Sequence, residues 1–205
     1  PAMSTSTPTV YNGRAYVGVS GVGQFKAYSG HNITVIDLPS WRIAYTVRTQ
    51  GYPQTSALLT TAYEAETGYV CLYFFDNYTP GKLRMLRDKP GQTAPETTEV
   101  ETVVAGGKIV SYDTAPVLFT PSGAQQQYAI CSPITDESGA IYFKNDSAYL
   151  MALTSTVTRL EIAAAPAKTV YRPGESFDPA GMQVLAHYAN GYVRDVTKYV
   201  TWDAA

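Results

Sequence analysis

The stretch TVYNGRAYVGVSG, residues 9–21, decides how this chain is read. Thr9-Val10-Tyr11 is a short run of strand formers, Asn12-Gly13 favours a type I′ turn, and Ala15-Tyr16-Val17-Gly18-Val19 continues as a second strand. A lone hairpin is at best marginally stable in water, so the fold depends on whether the plan recurs. CSPITDESGAIYFKNDSAYLMAL (131–153) repeats it: a small residue and Pro, a β residue, a polar turn closed by Gly139, then a hydrophobic-Tyr-hydrophobic strand. TSALLTTAYEAETGYVCLYFFDNYTPGKLRMLRD (55–88) does so with a longer first strand, Gly68 standing in the place of Gly13. After each strand comes a second turn (29–32, 77–81, 145–147) and a further strand, ITVIDL, KLRMLRD or AYLMALT.

Three copies of one β-meander make a repeat whose members each carry an apolar face that only a neighbour can cover. No window has apolar residues at i, i+3, i+4 and i+7, so helices are not expected. Strands are expected at 14–20, 32–38, 42–49, 56–63, 69–75, 82–88, 97–104, 108–112, 115–120, 127–134, 140–145 and 148–154, punctuated by Gly, Pro, Asn and Asp. Hydrophobic residues make up 45% of the 205, enough for a packed core. Fifteen Lys and Arg against 17 Asp and Glu give a net charge of −2, which argues against a nucleic-acid partner. No apolar run is long enough for a membrane-spanning helix, so no membrane insertion is expected. PAMSTSTPTV has neither the basic start nor the apolar stretch of a signal peptide, so an export signal is expected outside this sequence.

Radially arranged four-stranded sheets are the usual solution for such repeats. Residues TPTVYNGRAYVG followed by ITVIDLPSWRIAYTV resemble the quinoprotein-like (PQQ-like) β-propeller repeats. Val35 and Asp37 match that family's Ala-x-Asp-x-x-Thr-Gly-x-x-x-Trp motif; Ser40-Trp41 replaces its Thr-Gly, and Tyr45 stands where its docking Trp is expected. The resemblance covers most of 1–154 and implies about three blades, fewer than the roughly four needed for closure. The remaining blades or another chain are then expected to complete the ring, because open sheet edges invite pairing.

From Thr156 the pattern changes. RLEIAAAPAKTVYRPGESFDPAGMQVLAHYANGYVRDVT resembles the bacterial Ig-like domains of surface proteins, carried by the Tyr-x-x-Gly-Glu-x-Phe-Asp-Pro-x-Gly-Met string from Tyr171 to Met182. A hairpin is expected about Asn190-Gly191, with Met182, Val184, Ala186 and Tyr188 alternating on one face. Such a sandwich needs more strands than TWDAA leaves room for. The expected architecture is therefore all-β: partial propeller-like repeats over 1–155, then an incomplete Ig-like β-sandwich over 156–205.

Chemistry is sparse. Only His31, in the Ser-Gly-His-Asn turn, and His187, on a strand, could serve as imidazoles, and neither has a His or Cys at ligand spacing. Cys71 and Cys131 read as small hydrophobes, a disulfide between them being left open by spacing. GVSGVG (18–23) lacks the Lys-Ser/Thr of a phosphate loop, and no nucleophile elbow occurs. DESG (136–139) and KNDS (144–147) offer oxygens, but without the alternating spacing of a calcium loop they read as turns. The sequons at Asn32, Asn77 and Asn145 carry no weight in a bacterial protein. No catalytic residue, cofactor or metal ligand is assigned. Tyr52, Tyr63, Tyr73 and Tyr78, near loops or strand ends, are candidates for a carbohydrate platform. The competing reading is that they pack between sheets with hydroxyls at the edge. The expected role is a non-catalytic extracellular or cell-surface scaffold binding a protein or glycan partner. The alternative is part of a quinoprotein-like or carbohydrate-active propeller enzyme.

Overall fold

A computed structural model describes residues 4–23, 26, 28–105, 107–189, 191 and 193–202. The protein is all-β, built from several antiparallel sheets, none of them closed. It divides into two compact units: 1–134 with 142–151, and 135–141 with 152–205.

In the first unit, β1 (Thr9–Tyr11), β2 (Arg14–Val19), β3 (Asn32–Asp37) and β4 (Arg42–Arg48) form a four-stranded meander in chain order. The tight β1–β2 turn follows from Asn12 (φ +44°) and Gly13 (φ +74°), both in the left-handed region a type I′ turn requires. A second four-stranded sheet contains β5 (Leu58–Thr60), β6 (Val70–Phe75) and β7 (Leu83–Asp88). One helical turn, α1 (Glu64–Thr67), lies between β5 and β6 and ends on Gly68 in the left-handed conformation. Between β7 and the sheet's fourth strand the chain inserts a hairpin of β8 (Glu99–Ala105) and β9 (Lys108–Thr114). The fourth strand, β10 (Val117–Phe119), then pairs with β7.

β11 (Ile134–Thr135), β12 (Ile141–Lys144) and β13 (Leu150–Leu153) complete a three-stranded meander. The bends before β2, β6 and β12 are the three glycines singled out in the sequence, at φ +74°, +76° and +77°. The expectation of a strand over 127–134 is not met. That stretch is irregular until β11; Asn145 Nδ2 takes the Gln127 carbonyl (3.2 Å) that a strand would offer to a neighbour, and the Gln125 carbonyl (2.7 Å) just before it. The strand expected at 56–63 shrinks to β5 because Thr61–Tyr63 turn into α1.

The core of this unit draws on both four-stranded sheets: Tyr16, Ile33, Val35, Tyr45 and Val47 from the first, Val70, Leu72, Phe74 and Leu86 from the second, with Ala57 and Ala115. β6 is buried along its whole length, so its VCLYFF run does not alternate in polarity. Each fully buried Phe or Leu here contributes about 2–3 kcal/mol. Asp88 sits on this core without exposure and accepts the hydroxyls of Tyr16 (2.8 Å) and Tyr45 (2.7 Å), while the buried Arg14 guanidinium lies 3.4 Å away. Burial, followed by the bond to Asp88, raises both tyrosine hydroxyls well above their ordinary range.

The second unit is organised by a three-stranded sheet of β14 (Val157–Ala164), β15 (Gln183–Tyr188) and β16 (Val193–Asp195). Val184 and Ala186 are buried on β15, with Met182 and Tyr188 half-buried. The turn joining β15 to β16 includes Gly191 (φ +83°); Asn190 lies outside the described residues. The Tyr171–Met182 string works as a loop lock. The Tyr171 hydroxyl accepts the Asp178 amide (3.1 Å), Glu175 accepts the Arg172 amide (2.8 Å), and Phe177 packs between Tyr171 and Trp202.

Candidate functional site

Two glycines build a cleft in the first unit. A Cβ on Gly51 would lie 2.3 Å from the Asn77 carbonyl oxygen, so the 50–54 loop can rest on the 76–81 turn only because residue 51 has no side chain. A Cβ on Gly81 (φ +76°) would lie 2.1 Å from the Gln127 carbonyl oxygen, so the 127–130 segment approaches the same turn by the same means. Where the three segments meet, Tyr52, Gln54, Asn77, Tyr78, Thr79, Tyr128 and Ile130 line a solvent-open cleft of about 710 Å³.

The walls differ in character. Tyr78 and Tyr128 are 38% and 42% exposed and offer ring surface to solvent, as does Ile130. Tyr52 is buried: its ring stacks on His31 (centroids 6.1 Å apart, planes 14°), and its hydroxyl accepts the Thr5 amide and donates to Thr5 Oγ1 at 3.2 Å. His31 is itself fully buried, its Nδ1 accepting the Gly21 amide (2.9 Å) and its Nε2 donating to the Lys26 carbonyl (2.9 Å). Burial holds this imidazole below its ordinary pKa, outweighing the Lys26 bond, and the ring is a neutral strut behind Tyr52. Asn77 Oδ1 is buried without a hydrogen-bond partner, an acceptor left over beside the cleft.

Beneath the 76–81 turn lies an ion-pair network. Arg84 and Asp76 are both fully buried and pair at 2.6 Å. Arg84 also reaches Glu99 (3.0 Å), Glu101 and the Ala115 carbonyl (2.7 Å), and Lys82 pairs with Glu101. Burial pushes Asp76 above the usual carboxylate range even with Arg84 beside it. Glu101 is also penalised by burial, but Lys82 and Arg84 outweigh that and hold it low. The Tyr28 ring packs against Tyr78 (6.3 Å) and Tyr112 (5.8 Å), and burial together with Glu101 pushes its hydroxyl up to about 12. The network clamps the β8–β9 hairpin to β7 and makes the turn that presents Asn77, Tyr78 and Thr79 a stiff platform.

Of the four tyrosines singled out in the sequence, the structure brings Tyr52 and Tyr78 together at this cleft. Tyr63 is half-buried at the start of α1, and Tyr73 is buried on β6, where its hydroxyl is raised mainly by burial. Tyr128 was hidden in a stretch that reads as a strand. Cys71 is buried and Cys131 half-buried, and both are free thiols. Among the described residues no His, Cys, Asp and Glu side chains gather into a group that could hold a metal ion, and no helix is long and apolar enough to cross a membrane.

No family model and no curated protein matches this chain. The geometry therefore stands alone. It offers two solvent-facing rings, amide and hydroxyl groups able to donate and accept, and a rigid floor: equipment for holding a ligand.

Proposed function

We propose that this chain is a non-catalytic binding module of an extracellular or cell-surface protein and that the Tyr78–Tyr128 cleft takes a glycan. On this reading the meanders β1–β4, β5–β7 with β10, and β11–β13 are propeller-like blades, and the β14–β16 sheet belongs to an Ig-like module that spaces them. The observation that carries the reading is two half-exposed tyrosine rings beside an unsatisfied Asn77 oxygen in a cleft of about 710 Å³. Ligand pockets run to several hundred Å³ and pair apolar walls with a few placed polar groups. Tyrosine faces cover the C–H surface of a sugar ring, and Gln54, Asn77 and Thr79 can exchange hydrogen bonds with its hydroxyls.

A glycan array probed with the intact protein, followed by calorimetric titration of the strongest hit, tests this. Tyr78→Ala and Tyr128→Ala should each weaken binding by about tenfold, the equivalent of about 1.4 kcal/mol. An array that stays silent, a hit untouched by both substitutions, or turnover of the bound sugar overturns the proposal.

A further inference from the structure

A second cleft lies at the other end of the first unit's sheets, where β2 begins and β3 and β7 end. It has a volume of about 320 Å³, and its polar lining is Arg14, Asp37, Ser40, Arg42, Gln92 and Thr93. Arg14 is 2% exposed and incompletely satisfied. Its Nη2 donates to the carbonyls of Lys89 (3.1 Å) and Gln92, its Nη1 stands 3.7 Å from Asp37 Oδ1, and its Nε faces the buried Asp88 carboxylate at 3.4 Å without making a hydrogen bond. Gln92 Oε1 is a buried acceptor also without a partner, although its amide nitrogen is used twice, on Arg87 O (3.3 Å) and Ala94 O (2.6 Å). Asp37 Oδ2 accepts the Ser40 amide (3.1 Å) and hydroxyl, which fixes the carboxylate.

In sequence between Ser40 and Arg42, two residues that line this cleft, comes Trp41. It is 80% exposed and held at φ +52°, a conformation that bulky side chains rarely adopt. A large ring kept in water on an unfavourable backbone contributes little to the core, and such outliers gather at ligand sites. The charges around the cleft cancel: Arg14 and Arg42 against Asp37 and Asp88. A small anion would find no net field there, whereas a hydroxyl can accept from Arg14 and donate to Gln92 Oε1 or Asp37 in one position.

We propose that Trp41 and this cleft form a second saccharide site, for an uncharged sugar whose C–H face lies on the indole and whose hydroxyls enter between Arg14, Asp37 and Gln92. The site uses no residue of the Tyr78–Tyr128 cleft and stands or falls independently of it. Two such sites at opposite ends of one unit would let the protein engage two chains of the same polymer, gaining avidity without new contacts.

The chain has two tryptophans, Trp41 and Trp202. Trp202→Phe preserves a ring against Phe177 and leaves Trp41 as the sole indole reporter. The Trp202→Phe protein is titrated with maltotetraose, cellotetraose and tetra-N-acetylchitotetraose, and with sialyllactose as the acidic comparison. At least one uncharged tetrasaccharide should give a saturable blue shift of Trp41 emission, with affinity changing less than about twofold between low and high salt. The shift should persist in a Tyr78→Ala/Tyr128→Ala background. By calorimetry, Trp41→Ala and Ser40→Ala/Thr93→Ala should each weaken that binding about tenfold or more, with melting curves confirming that the variants are folded. The proposal is overturned if no uncharged sugar moves the emission, if sialyllactose alone does so with steep salt dependence, or if the response vanishes with the tyrosines.

Discussion

Replacing Asp88 with Asn tests the buried centre of the first unit. The substitution preserves volume and leaves one carbonyl oxygen and one amide, so the hydroxyls of Tyr16 and Tyr45, now 2.8 and 2.7 Å from the carboxylate, both keep a partner. What disappears is charge. Two charge-assisted hydrogen bonds become neutral ones, a loss of about 1 kcal/mol each. Arg14, 2% exposed, keeps only Asp37 as a carboxylate neighbour, at 3.7 Å and 30% exposed. Breaking a buried pair costs about 3–5 kcal/mol with those hydrogen-bond losses included, and the residual Asp37 contact places the total in the lower half of that range. A domain with about 5–15 kcal/mol in hand loses a large part of its stability. In urea, with a slope of about 2 kcal/mol/M, the midpoint followed by circular dichroism should fall by about 1.5–2 M. Arg14→Met added to Asp88→Asn removes the stranded cation, so the double variant should lose at least about 1 kcal/mol less than the sum of the two singles. A shift in the single variant worth under about 1 kcal/mol, or strict additivity in the double, would refute the claim that this pair is energetically linked.

Gly18→Ala forces a Cβ to within 1.8 Å of the Pro53 carbonyl oxygen; the variant should melt well below the parent by calorimetry or fail to accumulate as folded protein. Cys131 should react with a thiol reagent in the native state and Cys71 only on unfolding, since Cys71 is buried and its thiol is raised chiefly by that burial. His31 has its pKa lowered in the fold, so its contribution is complete above its ordinary 6.5 and fades as pH falls below that value. The protection factor of the Gly21 amide, its exchange rate relative to that of an unstructured chain at the same pH, should therefore fall on acidification, and not in His31→Gln. In the second unit, Thr197 and then Gln183 hold Asp195 down at about 2. Its contribution is present above 3.8 and is lost as pH falls toward 2, so an acid titration by circular dichroism should be flatter in Asp195→Ala.

Much of the strand order was legible because it is local. Gly13, Gly68 and Gly139 each introduce the first inner strand of a meander, and all three take the left-handed conformation that glycine tolerates best. What escaped is non-local. Nothing in VLF announces that Val117–Phe119 returns past a whole hairpin to pair with β7, and nothing in QQQYAI says that a buried Asn145 will claim its carbonyls. Tyr73 and Tyr78 look alike as tyrosines beside a turn. Only the register, which places Tyr73 opposite Leu58 and Met85 inside the sheet, separates a core ring from a presented one.

The two clefts also explain why their floors are ionic. The turn 76–81 is anchored by Arg84 on Asp76, and the 89–93 segment by Arg14, whose guanidinium holds the carbonyls of Lys89 and Gln92 while facing Asp88. An apolar side chain at either place would fill the volume, and replacing a buried ion pair that way is often neutral or stabilising. Stability alone therefore gives little reason for two fully buried arginines in one unit. Both sit where a loop carrying exposed aromatic or polar groups must be held still, and a guanidinium fixes several loop carbonyls and carboxylates from one position. A site held this way meets its ligand with less entropy left to lose. Arg84→Met should accordingly weaken ligand capture at the Tyr78–Tyr128 cleft by more than its effect on melting temperature implies. Equal losses in the two measurements would reduce the arginine to a core residue.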